Sequence, residues 1–209
     1  MTDRLSIYNA ALRHCKTRAL ASLTENREPR RQLDAVWDDG GVKACLEKGL
    51  WRFATRSQML DYESAIEPDF GYQYAFTKPD DYVRTAAVCT DEFFNNPLTQ
   101  YVDESGYWYA PLQTIYVQYV SDDAAYGTNY AIWPESFTEY VGLYFAEQIA
   151  GVITQSQTIV DGIKRDAKKA LTEARSRDAM NQPTKFLPQG AWVKSRRGNS
   201  YSNRSYRDL

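Results

Sequence analysis

The stretch PESFTEYVGLYFAEQIAGVITQSQTIVDGIKRDAKKALTEARSRDAM, residues 134–180, decides how the chain is read. Its apolar residues Phe137, Val141, Tyr144, Phe145, Ile149 and Val152 recur at three- and four-residue steps, the one-face spacing of an amphipathic helix. Ile159, Ile163, Ala167, Ala170, Leu171 and Ala174 form a second series, and the polar run Thr154-Gln155-Ser156-Gln157 separates the two. Thr154 with Gln157 three residues on has the form of a capping box, which predicts a new helix start there. Pro134 suits a first helical turn, Glu135 and Glu139 lie near its positive end, and Pro183 closes the second helix. At about 1.5 Å per residue each rod is roughly 30 Å long, so a short link predicts an antiparallel pair. Such a pair is a scaffold without obvious chemistry.

Towards the N-terminus, Ser6 or Asp3 caps a predicted helix carrying Ile7, Ala10, Ala11 and Leu12 as far as about Thr17. Leu20 and Leu23 are the expected burial points of residues 19–25. Pro29 announces a second helix with Leu33, Val36, Trp37, Ala44, Cys45 and Leu46, bent or interrupted at Gly40-Gly41. Those glycines read as steric accommodation and not as a phosphate loop, since no strand precedes them and no Lys-Ser or Lys-Thr follows.

From Trp51 the pattern shifts to strands: Phe53, Thr55, Ser57 and Met59 alternate with Ala54, Arg56 and Gln58. Pro68, Asp69 and Gly71 mark a turn, residues 72–76 resume extended structure, and Lys78-Pro79-Asp80-Asp81 turns the chain into a strand over 82–89. Tyr101 and Val102, a four-residue loop Asp103-Glu104-Ser105-Gly106, and the returning Tyr107, Trp108 and Tyr109 predict a hairpin; Ile115, Val117 and Tyr119 give a further strand. A polar loop over 122–130 leads back to the helices. The expected fold is α+β: a helical bundle of about four helices with a small antiparallel β-sheet inserted between the two helical pairs, plus an extended C-terminal arm. The divisions fall at 1–50, 51–133, 134–180 and 181–209.

The 209 residues, 43% hydrophobic, suffice for one domain with appendages. No apolar run approaches the roughly 18 residues that cross a bilayer, and Met1-Thr2-Asp3-Arg4 lacks a basic segment before an apolar core. Synthesis in a cytoplasm without export, and no membrane partner, are the expectations. Cys15, Cys45 and Cys89 are widely spaced without CxxC pairing and read as buried or indifferent thiols. The net charge of −2 conceals a split. Residues 181–209 hold six cations (Lys185, Lys194, Arg196, Arg197, Arg204, Arg207) against Asp208, a net +5, so the preceding residues hold −7.

Chemistry-bearing constellations are scarce. His14, the single histidine, is adjacent to Cys15, and adjacent helical residues diverge, which disfavours a catalytic pair. Asp38-Asp39, Asp80-Asp81 and Asp122-Asp123 lack the further ligands of a metal site and read as solvated turn residues. No catalytic residue, metal or cofactor is expected. In the tail, Lys194, Arg196 and Arg197 with Trp192, Tyr201 and Tyr206 permit a nucleic-acid reading, in which cations meet phosphates and aromatics stack on bases. The aromatics are too sparse to follow successive bases. Phe186-Leu187 and Trp192-Val193 fit better as anchors of a peptide lying on another protein, with Lys185, Lys194, Arg196 and Arg197 meeting an acidic rim. A plain solubilising tail is the third reading.

Several stretches taken in order resemble a known family. Leu5-Ser6-Ile7-Tyr8-Asn9-Ala10-Ala11-Leu12, Ala21-Ser22-Leu23-Thr24-Glu25, Leu50-Trp51-Arg52-Phe53-Ala54 and Tyr74-Ala75-Phe76 with Pro79-Asp80-Asp81 are similar to the first half of tail tubular protein A, the head-to-tail adaptor of short-tailed bacteriophages. Tyr116-Val117-Gln118-Tyr119-Val120, Trp133-Pro134-Glu135-Ser136-Phe137, and Phe145-Ala146 through Ile153-Thr154 resemble its second half in order and spacing. The resemblance spans about residues 5–180. It implies a virion protein at the head-tail junction, a ring of twelve copies between the portal protein and a tail nozzle protein like tail tubular protein B. Double-stranded DNA would pass through the ring without sequence-specific binding. It also implies a portal-gripping arm over residues 182–209 and a distal, tail-facing hairpin that includes Asp103, Glu104, Tyr107 and Trp108.

Overall fold

A computed structural model of the chain describes residues 3–68 and 71–181. The described residues form a mixed helix-and-strand fold of five α-helices and two three-stranded antiparallel sheets. The predicted strands fall into two sheets where one was expected.

Helix α1 (Arg4–His14) starts on Asp3, and both sequence candidates take part in the cap. Asp3 Oδ1 accepts from the Ser6 N–H at 2.7 Å, and Ser6 Oγ accepts from the Asp3 N–H at 2.9 Å. The helix stops short of Thr17 because Lys16 turns left-handed (φ 55°), with Thr17 N–H donating to Leu12 O at 2.9 Å and Lys16 N–H to Arg13 O at 3.0 Å. These are the two bonds of a Schellman ending, here with lysine where glycine is usual. In the irregular stretch that follows, Asn9 clamps both backbone groups of Leu20, at 2.7 and 3.1 Å, and Leu20 is buried. Leu23 is 37% exposed, so it is not the second burial point that the sequence suggested.

The helix announced by Pro29 is two helices, α2 (Glu28–Asp38) and α3 (Gly41–Glu47). Gly40 sits at φ 82° between them, and a Cβ on Gly41 would stand 2.7 Å from the Val36 carbonyl oxygen and 3.0 Å from Phe145 Cζ. One glycine makes the turn and the other permits close approach. Arg4 and Arg30 meet Asp34 at 2.7 and 2.6 Å, and the Tyr8 hydroxyl donates to it at 2.8 Å, which ties α1 to α2.

Helices α4 (Glu135–Thr154) and α5 (Gln157–Met180) form the predicted pair. Pro134 is the N-cap of α4 and precedes its first turn. The expected capping box at the link is absent: Ser156 is the N-cap of α5 without a side-chain bond, and the Thr154 hydroxyl donates back to Ala150 O at 2.7 Å. The link is instead made by Gln155 in the left-handed region. Helix α4 packs against α1, α2, α3 and α5 and is buried on most of its circumference, as an apolar helix of this kind must be. Val152, placed on its apolar face by periodicity, is 56% exposed. An aromatic cluster fills the surrounding core, with Phe137 4.7 Å from Trp51 and 4.9 Å from Trp133. The indole of Trp51 donates to Cys45 O and that of Trp133 to Gly127 O, so both rings are buried with their N–H groups satisfied.

Trp51 therefore belongs to the helical core, and a 3₁₀ turn, Arg52–Ala54, precedes strand β1 (Thr55–Asp61). The other strands are β2 (Tyr74–Thr77), β3 (Tyr82–Cys89), β4 (Val102–Glu104), β5 (Tyr107–Ala110) and β6 (Thr114–Ser121). One sheet has the order β1-β6-β3 and the other β2-β5-β4. Phe76, Trp108 and Ala110 from the second sheet share a core with Val88, Ile115, Val117 and Tyr119 from the first. Val120, one step further along β6, joins the helical core instead. The period-two alternation of β6 thus lets one strand serve two cores. Of the acidic doublets, Asp81 is no solvated turn residue. Its side chain is 14% exposed and accepts from Arg56 at 2.9 Å, from the Tyr119 hydroxyl at 3.0 Å and from the Ser121 hydroxyl. Asp122 pairs with Lys43 at 2.9 Å.

Candidate interaction surfaces

The hairpin proposed to face the distal partner is β4 and β5, joined by Ser105 (φ 48°) and Gly106 (φ 86°). Two successive left-handed residues make a tight primed turn, so Asp103 and Glu104 are strand residues and not loop residues as expected. The four named side chains do different things. Trp108 is fully buried, and its indole N–H is shared between Thr85 Oγ1 and Asp103 Oδ2, both at 3.1 Å. It cannot be a surface contact, because its ring fills the β core. Asp103 also accepts from Thr85 Oγ1 at 3.0 Å and pairs with Lys78, whose ammonium lies 4.5 Å from the Tyr82 ring centre. Its carboxylate is spent on joining the two sheets. Glu104 is exposed and Tyr107 half-buried, and these two remain open to a partner.

The other named site, Lys185, Phe186, Leu187, Trp192, Val193, Lys194, Arg196 and Arg197, lies outside the described residues, as do Asp69 and Pro183.

Sequence reading missed a cleft of about 420 Å³ where the end of α5 meets the chain after α3. Lys48, Arg52, Arg84 and Arg175 line it with Leu50, Trp51, Asp178 and Ala179. Arg84 donates to Glu47 O at 3.0 Å and Arg175 to Lys48 O, so these guanidiniums are held by carbonyls that leave their charge uncancelled. Among the described residues none of the four cations is in an ion pair. The single carboxylate, Asp178, is 8% exposed and accepts the Arg52 backbone N–H with both oxygens at 3.1 Å. Burial raises its pKa, only partly opposed by that N–H and by the Arg52 charge. The contributing residues are spread from 48 to 179, so no local motif signals the cleft; topology alone assembles it.

Across α5 lies a smaller groove of about 200 Å³, lined by His14, Glu139, Leu143, Asp166, Lys169, Ala170 and Glu173. Glu173 already holds Arg177 at 2.7 Å, whereas Glu139 and Asp166 are in no ion pair among the described residues. Burial and then Arg13 lower the pKa of His14, against the pull of Glu139 and Asp166, and Lys169 stands among the carboxylates of the same lining. The thiols are buried, and burial pushes Cys15 up to about 11 and Cys45 higher, which makes both poor nucleophiles. Among the described residues no three His, Cys, Asp or Glu side chains are grouped to hold a metal ion, and no helix is long and apolar enough to cross a membrane.

No protein-family model matches the chain, and no curated protein matches it at a significant level.

Proposed function

We propose that the chain is a structural virion protein, the head-to-tail adaptor of a short-tailed phage. It would form a ring, twelvefold by the resemblance, between the portal protein and the tail nozzle and conduct the genome during ejection. The observation that carries this reading is the ordered series of short motifs over about residues 5–180 that resembles tail tubular protein A.

Three physical features support it. A helical bundle with a β insertion makes a stiff wedge, and a ring of wedges needs broad lateral faces that the outer surfaces of the helices supply. The net −7 outside the tail discourages adhesion to passing DNA, because phosphates facing carboxylates release no counterions. The +5 of residues 181–209 supplies a second surface of opposite sign, suited to an acidic rim on the portal.

The test is capture by purified portal of the full chain and of a chain ending at Asn181. Capture of the full chain alone is the expected result; failure of the full chain to bind counts against the adaptor. The cation-lined cleft at the end of α5, followed by the basic tail, favours one second reading, nucleic-acid binding. That reading requires salt-sensitive DNA affinity lost with the tail, where the adaptor loses portal capture instead.

A further inference from the structure

We infer that the cleft at the end of α5 is a binding site for a small phosphate-type polyanion, two linked phosphoryl groups as in pyrophosphate or the diphosphate of a nucleotide. The inference goes beyond the adaptor reading and does not depend on it.

Three separate segments build the site. Lys48, Leu50 and Arg52 come from the link between α3 and β1, Arg84 from β3, and Arg175 and Asp178 from the last two turns of α5. Four cations against one carboxylate give the lining a net +3, and all four cations are exposed, so that charge is open to an incoming ligand. Surface cations are ordinarily mobile and screened. Here two of the four are fixed: the Arg84 guanidinium donates to Glu47 O at 3.0 Å and that of Arg175 to Lys48 O. Those bonds cover carbonyls at the C-terminal end of α3 and offset the partial negative charge that would repel an anion there. Each guanidinium keeps its other N–H donors for a ligand. The one carboxylate is engaged by backbone: both Asp178 oxygens accept the Arg52 N–H at 3.1 Å, and among the described residues it pairs with none of the four side-chain cations.

The arrangement selects the chemistry of the ligand. A planar carboxylate presents two oxygens in one plane and is satisfied by a single guanidinium fork. Cations that arrive from three segments of chain suit a ligand whose oxygens point in several directions, as those of a tetrahedral phosphoryl group do. The volume, about 420 Å³, is more than one phosphate fills and falls in the range of small-ligand sites, and Leu50, 46% exposed, adds an apolar contact beside the cations. A duplex is a broad convex rod that meets only the rim of such a cleft. A bound polyanion ties the exit of α3, strand β3 and the end of α5 together, so binding stabilises the fold by mass action.

The experiment is titration calorimetry of the full chain with pyrophosphate in metal-free buffer at physiological salt, beside inorganic phosphate, succinate and a short DNA duplex. Saturable binding of pyrophosphate is expected, about tenfold or more tighter than phosphate or succinate, with a rise in thermal midpoint. Lys48→Gln/Arg52→Gln, at side chains that hold no hydrogen bond among the described residues, should weaken it about tenfold or more, as should Arg84→Gln/Arg175→Gln. Lys164→Gln/Lys168→Gln removes the same charge from exposed positions of α5 outside the cleft and should change it by about twofold at most. Asp178→Asn removes the one negative charge of the lining and should tighten it about threefold or more. Thermal unfolding without ligand establishes that each variant folds. Absence of saturable binding, equal losses in the cleft and control variants, or weaker binding in folded Asp178→Asn overturns the inference. Preference for succinate hands the cleft to acidic peptides, and duplex that displaces pyrophosphate and loses affinity in the cleft variants alone hands it to nucleic acid; either result overturns the inference too. Portal capture is scored separately: intact capture by a chain that binds no pyrophosphate sinks this site and leaves the adaptor reading standing, and the reverse result sinks the adaptor alone.

Discussion

Two aspartates, Asp178 buried and Asp81 partly buried, show how the same side chain takes opposite roles by neighbourhood. Burial alone would raise the Asp81 carboxyl, but hydrogen bonds from Ser121, Arg56 and Tyr119 outweigh it and hold the group below its ordinary range. A depressed pKa contributes stability above the unfolded-state value and loses it as pH falls through the folded-state value. Asp178 is the reverse case, raised by burial, so its ionised form costs stability above the folded-state pKa and the cost is relieved on acidification. Asp81→Asn should therefore unfold at lower urea than wild type at pH 7, and Asp178→Asn at equal or higher urea. Both differences should shrink as pH is lowered towards 3.5, and differences of the same sign would contradict the assignment. Asp103 offers a third case, with Lys78, Thr85 and Trp108 converging on it. Asp103→Ala leaves the Trp108 indole N–H with Thr85 alone and Lys78 without its carboxylate, and should cost about 1–3 kcal/mol in urea unfolding, whereas exposed Glu104→Ala should change it by about 0.5 kcal/mol at most.

Where elements begin and end was set by backbone geometry, and that is testable at Gly41 and Lys16. Gly41→Ala forces a Cβ against the Val36 carbonyl and Phe145, and the α3 to α4 contact should lose about 1–3 kcal/mol. Lys16→Gly relieves a left-handed lysine at the end of α1 and should stabilise by about 1 kcal/mol, both read from urea midpoints. Elements with a strong period were legible in the sequence: the α4 and α5 pair, α1 with its Asp3 and Ser6 cap, and the alternating β6. What was not legible depended on contacts distant in sequence. Nothing near Trp51 says that its ring leaves the strand pattern for Phe137, more than eighty residues on. The hairpin was read one turn type too long because Asp103 and Glu104 look like loop residues until Lys78 and Thr85 are seen to hold Asp103. The basic cleft gave no signal because its cations come from three separate parts of the chain.

At the scale of the whole molecule, the buried residues of both hydrophobic cores lie between Ile7 and Ala174 among the described residues, which predicts a scaffold that folds without the basic tail. A chain ending at Asn181 should keep the thermal midpoint of the full chain while losing portal capture. A large fall in midpoint would mean that the tail completes the fold. Within the tail, a rim cation in a protein contact is worth little because water and salt screen it, whereas a large aromatic ring is an anchor only if a partner takes it out of water. Trp192→Ala should therefore weaken portal capture by about tenfold or more, and Arg204→Ala by about threefold or less, measured by surface binding of full-length protein at physiological salt. Equal losses, growing together as salt is lowered, would turn the tail from an anchored peptide into a diffuse electrostatic tether. In that case the specificity of attachment would have to come from the folded residues, with the cleft at the end of α5 the first surface to probe.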